Sequence, residues 1–185
     1  MERGVNSIFG CIRAIIGGVK LTREINKNER SLLSLINSIG PLKNWLYIQQ
    51  ATYIAQELDW IKTDYNFDFD LGFPFSNQLE ADLGHLESEG MICYANIGNF
   101  LVVAAVRKNM ELNTVMHGEI LKGLNSSKLI TISRLLYLRK HPIWKEDMMS
   151  SAVSVFKIPP EEIEYAKKLL SSAGVQWRSK RNRFF

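Results

Sequence analysis

The chain has 185 residues, 46% hydrophobic and 10% aromatic, with 23 Lys/Arg against 19 Asp/Glu for a formal net charge of +4. That is enough apolar material for one domain with an appendage or for two small ones, and it excludes a low-complexity or unfolded chain. The mildly basic balance permits contact with nucleic acid or an anionic surface without specifying either.

Residues 1–25 are weakly basic, bear glycines and lack firm periodicity, so they read as an N-terminal arm. Arg13 and the glycines interrupt its apolar stretch, which makes it a poor secretory signal. Nothing approaches the roughly 20 apolar residues that span a bilayer. Cys11 and Cys93 lie 82 residues apart with no CxxC spacing, which predicts thiols in a reducing compartment and places the chain in the cytoplasm.

From Asn28 the pattern sharpens. "NERSLLSLINSIG" sets Leu32, Leu33, Leu35, Ile36 and Ile39 on one helical face and stops at Gly40-Pro41. A second helix is predicted over 42–61, with Tyr47, Ala51, Ile54, Leu58 and Ile61 on its apolar side. Gln49, Thr52 and Gln56 form a narrow polar strip opposite, and Trp45 and Trp60 serve core and edge packing.

In "TDYNFDFDLGFPFS", Tyr65, Phe67 and Phe69 alternate with polar residues, which suggests a short strand or extended loop. Pro74 keeps Phe73 out of helical angles, and Ser76 or Asn77 caps the helix of 77–89. That helix buries Leu79, Leu83 and Leu86 and ends at Gly90 in a left-handed conformation. "MICYANIGNFLVVAAV" then reads as strand, turn, strand.

Helix, helix, tight turn, helix, hairpin is the order of a winged helix. The fold class expected is therefore mostly α with a small β-hairpin: a winged-helix-like domain over 26–108, then a C-terminal helical unit over 109–175. In that unit Leu112, Met116, Ile120 and Leu124 recur every four residues, and helices follow over 127–140, around Met148–Phe156, and from "PPEE" to Gly174. Proline and glutamates favour the first turn of the last helix. Residues 176–185 are a basic-aromatic tail.

The span 31–92 resembles the YwgA-like proteins and the related Panacea-type antitoxin domains. "IQQATYIAQEL" (48–58), "LGFPFS" (71–76) and "LEADLGHLESEGMI" (79–92) carry the resemblance in matching order. Gly72-Phe73 stands where those families have Tyr-Gly, and Gln50 replaces their usual lysine. The resemblance implies a winged-helix-like fold and a role in regulation or toxin neutralisation. It implies no chemistry.

The helix of 77–89 occupies the place where DNA readers make contact, yet Glu80, Asp82, Glu87 and Glu89 give it four negative charges and no basic residue. DNA affinity comes mostly from Lys and Arg meeting phosphate, so this helix is expected to repel a polyanion and to meet protein instead. Its carboxylates, beside inward leucines, are expected outside. Nucleic-acid candidates lie elsewhere: Trp177, Arg178, Lys180, Arg181 and Arg183 in the tail, Arg107 and Lys108 at the hairpin end, and Arg139 and Lys140. Guanidinium groups engage phosphate and aromatic rings stack on bases. Phe184 and Phe185, with the acidic helix, are the candidate partner contacts.

No residue set specifies an enzyme. His85, His117 and His141 are too scattered for ligand spacing, and His85 reads as a surface residue. "DYNFDFD" lacks the glycine and glutamate of a calcium loop, so neither metal nor cofactor is expected. Two functions remain: a non-enzymatic regulator or adaptor docking DNA or a nucleic-acid-associated machine, or an antitoxin-like assembly subunit, as homodimer or with a protein partner, that touches no nucleic acid.

Overall fold

The computed structural model describes residues 24–42, 44–97, 100–105, 117–141 and 148–176. Among them come α1 (Lys27–Ile39), α2 (Trp45–Glu57), α3 (Asn77–Ser88), β1 (Ile92–Ile97), β2 (Phe100–Ala105), α4 (Gly118–Lys122), α5 (Ser126–Lys140), α6 (Met148–Phe156) and α7 (Pro160–Ser172). The expected mostly helical chain with one small hairpin is what forms. Most of the N-terminal arm, residues 1–23, lies outside the described residues.

The start of α1 is a capping box. The Asn26 side chain accepts from the Glu29 amide at 2.9 Å, and Glu29 Oε2 accepts from the Asn26 amide at 2.6 Å. The helix stops at Gly40, φ 84°, with all five predicted apolar positions buried. Leu42 is not helical as expected. It is extended and bridges Val103 of β2, donating at 2.8 Å and accepting at 2.9 Å. Helix α2 begins only after the Asn44 cap, which accepts from the Tyr47 amide at 2.7 Å.

The predicted α2 overruns its true end. It finishes at Glu57, where Asp59 turns the chain with φ 56°. The extended loop expected between this helix and the next forms within an irregular segment, 58–76, in which Asp68 and Phe75 pair as an isolated antiparallel bridge; it is longer than the tight turn of the winged-helix order. Tyr65 is buried and Phe67 and Phe69 pack half-buried against the core, so the alternation reports a segment with one face inward. Aromatic bulk needs more chain to bury than a tight turn supplies.

The α3 stripe is as predicted: Leu79, Leu83 and Leu86 are fully buried, and Gly90 closes the helix with φ 63°. Strands β1 and β2 pair antiparallel from Ile92↔Ala105 to Ile97↔Phe100. Of the predicted 112–124 periodicity, α4 covers Ile120, Leu124 follows buried, and Leu112 and Met116 lie outside the described residues. Helix α5 packs against α2 on one side and α6 and α7 on the other, so the C-terminal unit does close over α5 as expected.

Helix α4 reaches α1 at Gly118. A Cβ there would lie 2.7 Å from Ser38 Cβ and 3.1 Å from the Ser38 carbonyl carbon. Gly118→Ala is therefore expected to lose about 1–3 kcal/mol through overpacking. Urea unfolding with an unchanged m-value checks it, and a variant of wild-type stability would refute this close approach.

Candidate functional site

Helix α3 sits with its leucines inward and its four carboxylates divided. Only Glu80 and Glu87 face solvent. Asp82 is 9% exposed and Glu89 only 3%, contrary to the expectation that all four stand outside. The Tyr65 hydroxyl, delivered by segment 58–76, donates to Asp82 Oδ2 at 2.8 Å. Burial and that hydrogen bond to Asp82 push the Tyr65 hydroxyl far above the usual tyrosine range.

His85 is not the surface residue its isolation suggests. Its Nδ1 lies 2.6 Å from Oε1 of Glu29, whose side chain is wholly buried, and its Nε2 lies 3.7 Å from Oε1 of Glu89. One carboxylate, Glu29, thus closes the cap of α1 and holds the imidazole of α3. The Asn26–Glu29 spacing is legible as a capping box, but nothing local says that a histidine 56 residues on would share it.

Two glutamines of the polar strip on α2 also turn inward. The Gln56 amide grips the Tyr65 backbone, donating to its carbonyl at 3.0 Å and accepting from its amide at 3.1 Å. Gln49 does the same at Ser76, at 3.3 and 3.0 Å, and donates to Glu80 at 3.3 Å. Neighbouring Gln50 is fully buried, and neither of its amide atoms has a hydrogen-bond partner among the described residues.

What α3 shows to solvent is Asn77, Gln78, Glu80, Ala81, Gly84, Glu87 and Ser88. The face carries two carboxylates, small residues and no cation. Its negative field reaches the hairpin: burial first, then Glu80 and Glu87, push the Tyr94 hydroxyl up to about 12. The surrounding stretch 24–105 holds eleven Asp/Glu and four Lys/Arg, a formal −7 in a chain that is +4 overall. This polarity was readable from the residues but is hidden by the net charge.

Of the predicted basic contacts, Trp177, Arg178, Lys180, Arg181 and Arg183, the aromatic pair Phe184 and Phe185, and Arg107 and Lys108 lie outside the described residues. Arg139 is exposed at the end of α5. Lys140 is engaged: its Nζ lies 2.8 Å from Oε1 of Glu57, an ion pair joining α5 to α2. Beside it Phe69 stacks on Tyr137 at 4.0 Å, and Tyr53 meets Phe69 edge-on at 5.2 Å. Lys140 thus sits at the seam between α5 and α2, while Arg139 beside it in the chain faces solvent.

A depression of about 190 Å³ lies between the starts of α5 and α7. Its own residues satisfy one another. Thr131 donates to Glu162 at 2.8 Å, and the Lys128 ammonium sits 4.3 Å from the Tyr165 ring centre. Among the described residues no cluster of His, Cys, Asp or Glu is placed to hold a metal ion, and no helix is long and apolar enough to cross a membrane. No protein-family model, curated protein or solved structure matches the chain.

Replacing Gln50 by methionine removes two unpartnered buried polar atoms and is expected to be neutral or stabilising, by about 1–2 kcal/mol. A loss above that range in urea unfolding would show that the amide has a partner.

Tyr65→Phe removes the donor to Asp82 and is expected to cost about 1–3 kcal/mol. The tyrosines also set the alkaline limit. Burial pushes Tyr47 from the usual 10.0 to about 12, and it raises Tyr53 and Tyr65 further. The folded state therefore holds these protons more tightly than the unfolded chain. Stability is full below pH 10 and declines as pH rises through 10 to 12. Absorbance at phenolate wavelengths should show these groups ionising together with unfolding; early, independent ionisation would contradict the burial.

Proposed function

We propose that the chain is a non-enzymatic, protein-docking module on a winged-helix-like frame, with the outward face of α3 as its contact. Three observations support the frame. Among the described residues three helices precede the hairpin, α3 packs on β1, and Leu42 pairs with Val103 in an isolated bridge that sets the link from α1 to α2 beside β2. That is the order in which a winged helix uses its strands. Shared shape does not establish DNA reading.

The observation that carries the docking reading is the charge of that face. Glu80 and Glu87 stand exposed with no cation beside them on α3, inside a stretch of formal −7. A duplex places one negative charge about every 1.7 Å of axis, and a reader needs Lys or Arg against it. Glutamate can accept from cytosine, but that contact selects bases and supplies no phosphate clamp. A basic protein surface fits the same face without penalty. Between the carboxylates, Ala81, Gly84 and Ser88 keep the helix low, so a partner's backbone can come close.

Gly84 reports directly on this face. A Cβ at Gly84 meets nothing within 4 Å, so nothing internal requires glycine there. Gly84→Ala is expected to stabilise the fold by about 0.5–1 kcal/mol through helix propensity. The reversal Glu87→Lys, which leaves the Gln49–Glu80 hydrogen bond intact, should keep stability near wild type while cutting partner capture about tenfold. The measurement is affinity capture from the native host with and without nuclease. Capture that vanishes with nuclease, or that survives the reversal, defeats the docking reading.

A second reading keeps nucleic-acid contact, supported by the four basic residues and three aromatics in 177–185. Under it, removing that segment flattens the salt dependence of duplex or single-strand binding.

A further inference from the structure

Arg134 on α5 is half-buried and fixed in place. Its Nε donates to the Gly72 carbonyl oxygen at 2.8 Å and its Nη1 to the Phe156 carbonyl oxygen at 3.4 Å. The guanidinium also lies over the Phe156 ring, 5.0 Å from its centre. Burial lowers its pKa, as expected for a cation partly removed from water. Yet among the described residues it makes no ion pair, whereas Lys62, Lys122, Lys140 and Lys167 each have a carboxylate.

A guanidinium has five N–H donors. Two are committed here, and Nη2 has no acceptor among the described residues. Carbonyl dipoles and one ring do not neutralise a partly desolvated charge; buried charges in proteins are ordinarily paired. The half-exposed guanidinium thus keeps N–H donors open to an acceptor from outside.

Its surroundings define the oxyanion's carrier. Leu71, beside Gly72, is 64% exposed, and Val155, next to Phe156 at the end of α6, is 43% exposed. Lys157 follows, exposed, in a left-handed conformation with φ 54°. A lysine there carries a backbone cost of about 1–2 kcal/mol, which glycine avoids. The patch thus has an arginine anchor, an apolar rim and a second cation; of these, arginine is a residue type enriched at protein-binding hot spots. A phosphodiester backbone would gain nothing from leucine and valine, and among the described residues no exposed ring at this rim offers a base a stacking surface.

We infer that Arg134, Leu71, Val155 and Lys157 form a docking site for an acidic amphipathic segment of a protein partner, one carboxylate engaging Arg134 while apolar side chains cover the leucine and valine. The site uses none of the outward residues of α3, so it stands or falls separately from the function proposed above.

The test titrates the full-length isotope-labelled chain with a synthetic helical peptide bearing Leu and Glu on one face. Its Glu→Lys counterpart and inorganic phosphate are run in parallel. The expected result is saturable binding of the Glu peptide alone, with amide shifts at Leu71, Gly72, Val155 and Lys157. Affinity should fall about tenfold in Arg134→Gln and in Leu71→Asp, and stay unchanged in Glu87→Gln. Leu71→Asp lies on an exposed tip and keeps the test valid if Arg134→Gln does not fold. The inference is overturned by equal binding of the Lys peptide, by no shifts at those amides, or by wild-type affinity in Leu71→Asp. Phosphate alone reproducing the shifts would mean a plain anion site. Concentration-dependent self-association abolished by Leu71→Asp would mean that the occupant is a second copy. Either also overturns it.

Discussion

The constraint on which the other contacts rest is the grip of Gln49 and Gln56 on the segment between α2 and α3. Each side-chain amide satisfies both backbone groups of one residue, Ser76 and Tyr65 respectively. A chain running extended through a partly buried position must pair its amides and carbonyls. Here a helix side chain does the work of a neighbouring strand. With both ends held, Tyr65, Phe67 and Phe69 are presented inward, and Tyr53 meets Phe67 and Phe69 edge-on at 5.2 Å each. The same segment then carries the Tyr65 hydroxyl to Asp82, the Phe69 ring to Tyr137 and the Gly72 carbonyl to Arg134. It is the joint between the two halves of the chain.

That joint explains the division of charge on α3. Carboxylates near donors from other elements become structural: Asp82 meets Tyr65, and Glu89 shares His85 with Glu29. Glu80 accepts from Gln49 yet stays exposed, and with Glu87 it sets the potential of the surface. The cost of burying acid groups is offset by charge-assisted hydrogen bonds, which are roughly twice as strong as neutral ones. The helix keeps a negative outer face while using half its acids for cohesion.

The same division applies to the cations. Lys140 is committed to Glu57, and Arg134 to backbone carbonyls and a ring. Basic residues of the C-terminal unit thus help hold it to α2, and only part of their charge is available to a partner. A binding surface cannot be read from a count of lysines and arginines until the internal contacts are subtracted.

The leucine stripe of α3, the stops at Gly40, Gly90 and Gly174, the Pro160 start and the hairpin were all legible, because helical period, left-handed glycine and strand alternation are local properties. The capping box of α1 and the −7 of residues 24–105 were equally written in the residues. Asp82 sits about 60° from the centre of the leucine stripe at 100° per residue, close enough to be drawn inward or left out. Which occurs depends on whether a hydroxyl arrives from elsewhere, and Tyr65 comes from another element 17 residues away. His85 and Arg134 were undecidable for the same reason: their partners, Glu29, Gly72 and Phe156, are remote along the chain and near only once it is folded. Sequence alone determined the elements and their apolar faces, since those follow from the geometry of one helix or strand. Tertiary structure alone decided which charges are spent inside and which face solvent, since pairing is a matter of distance between elements.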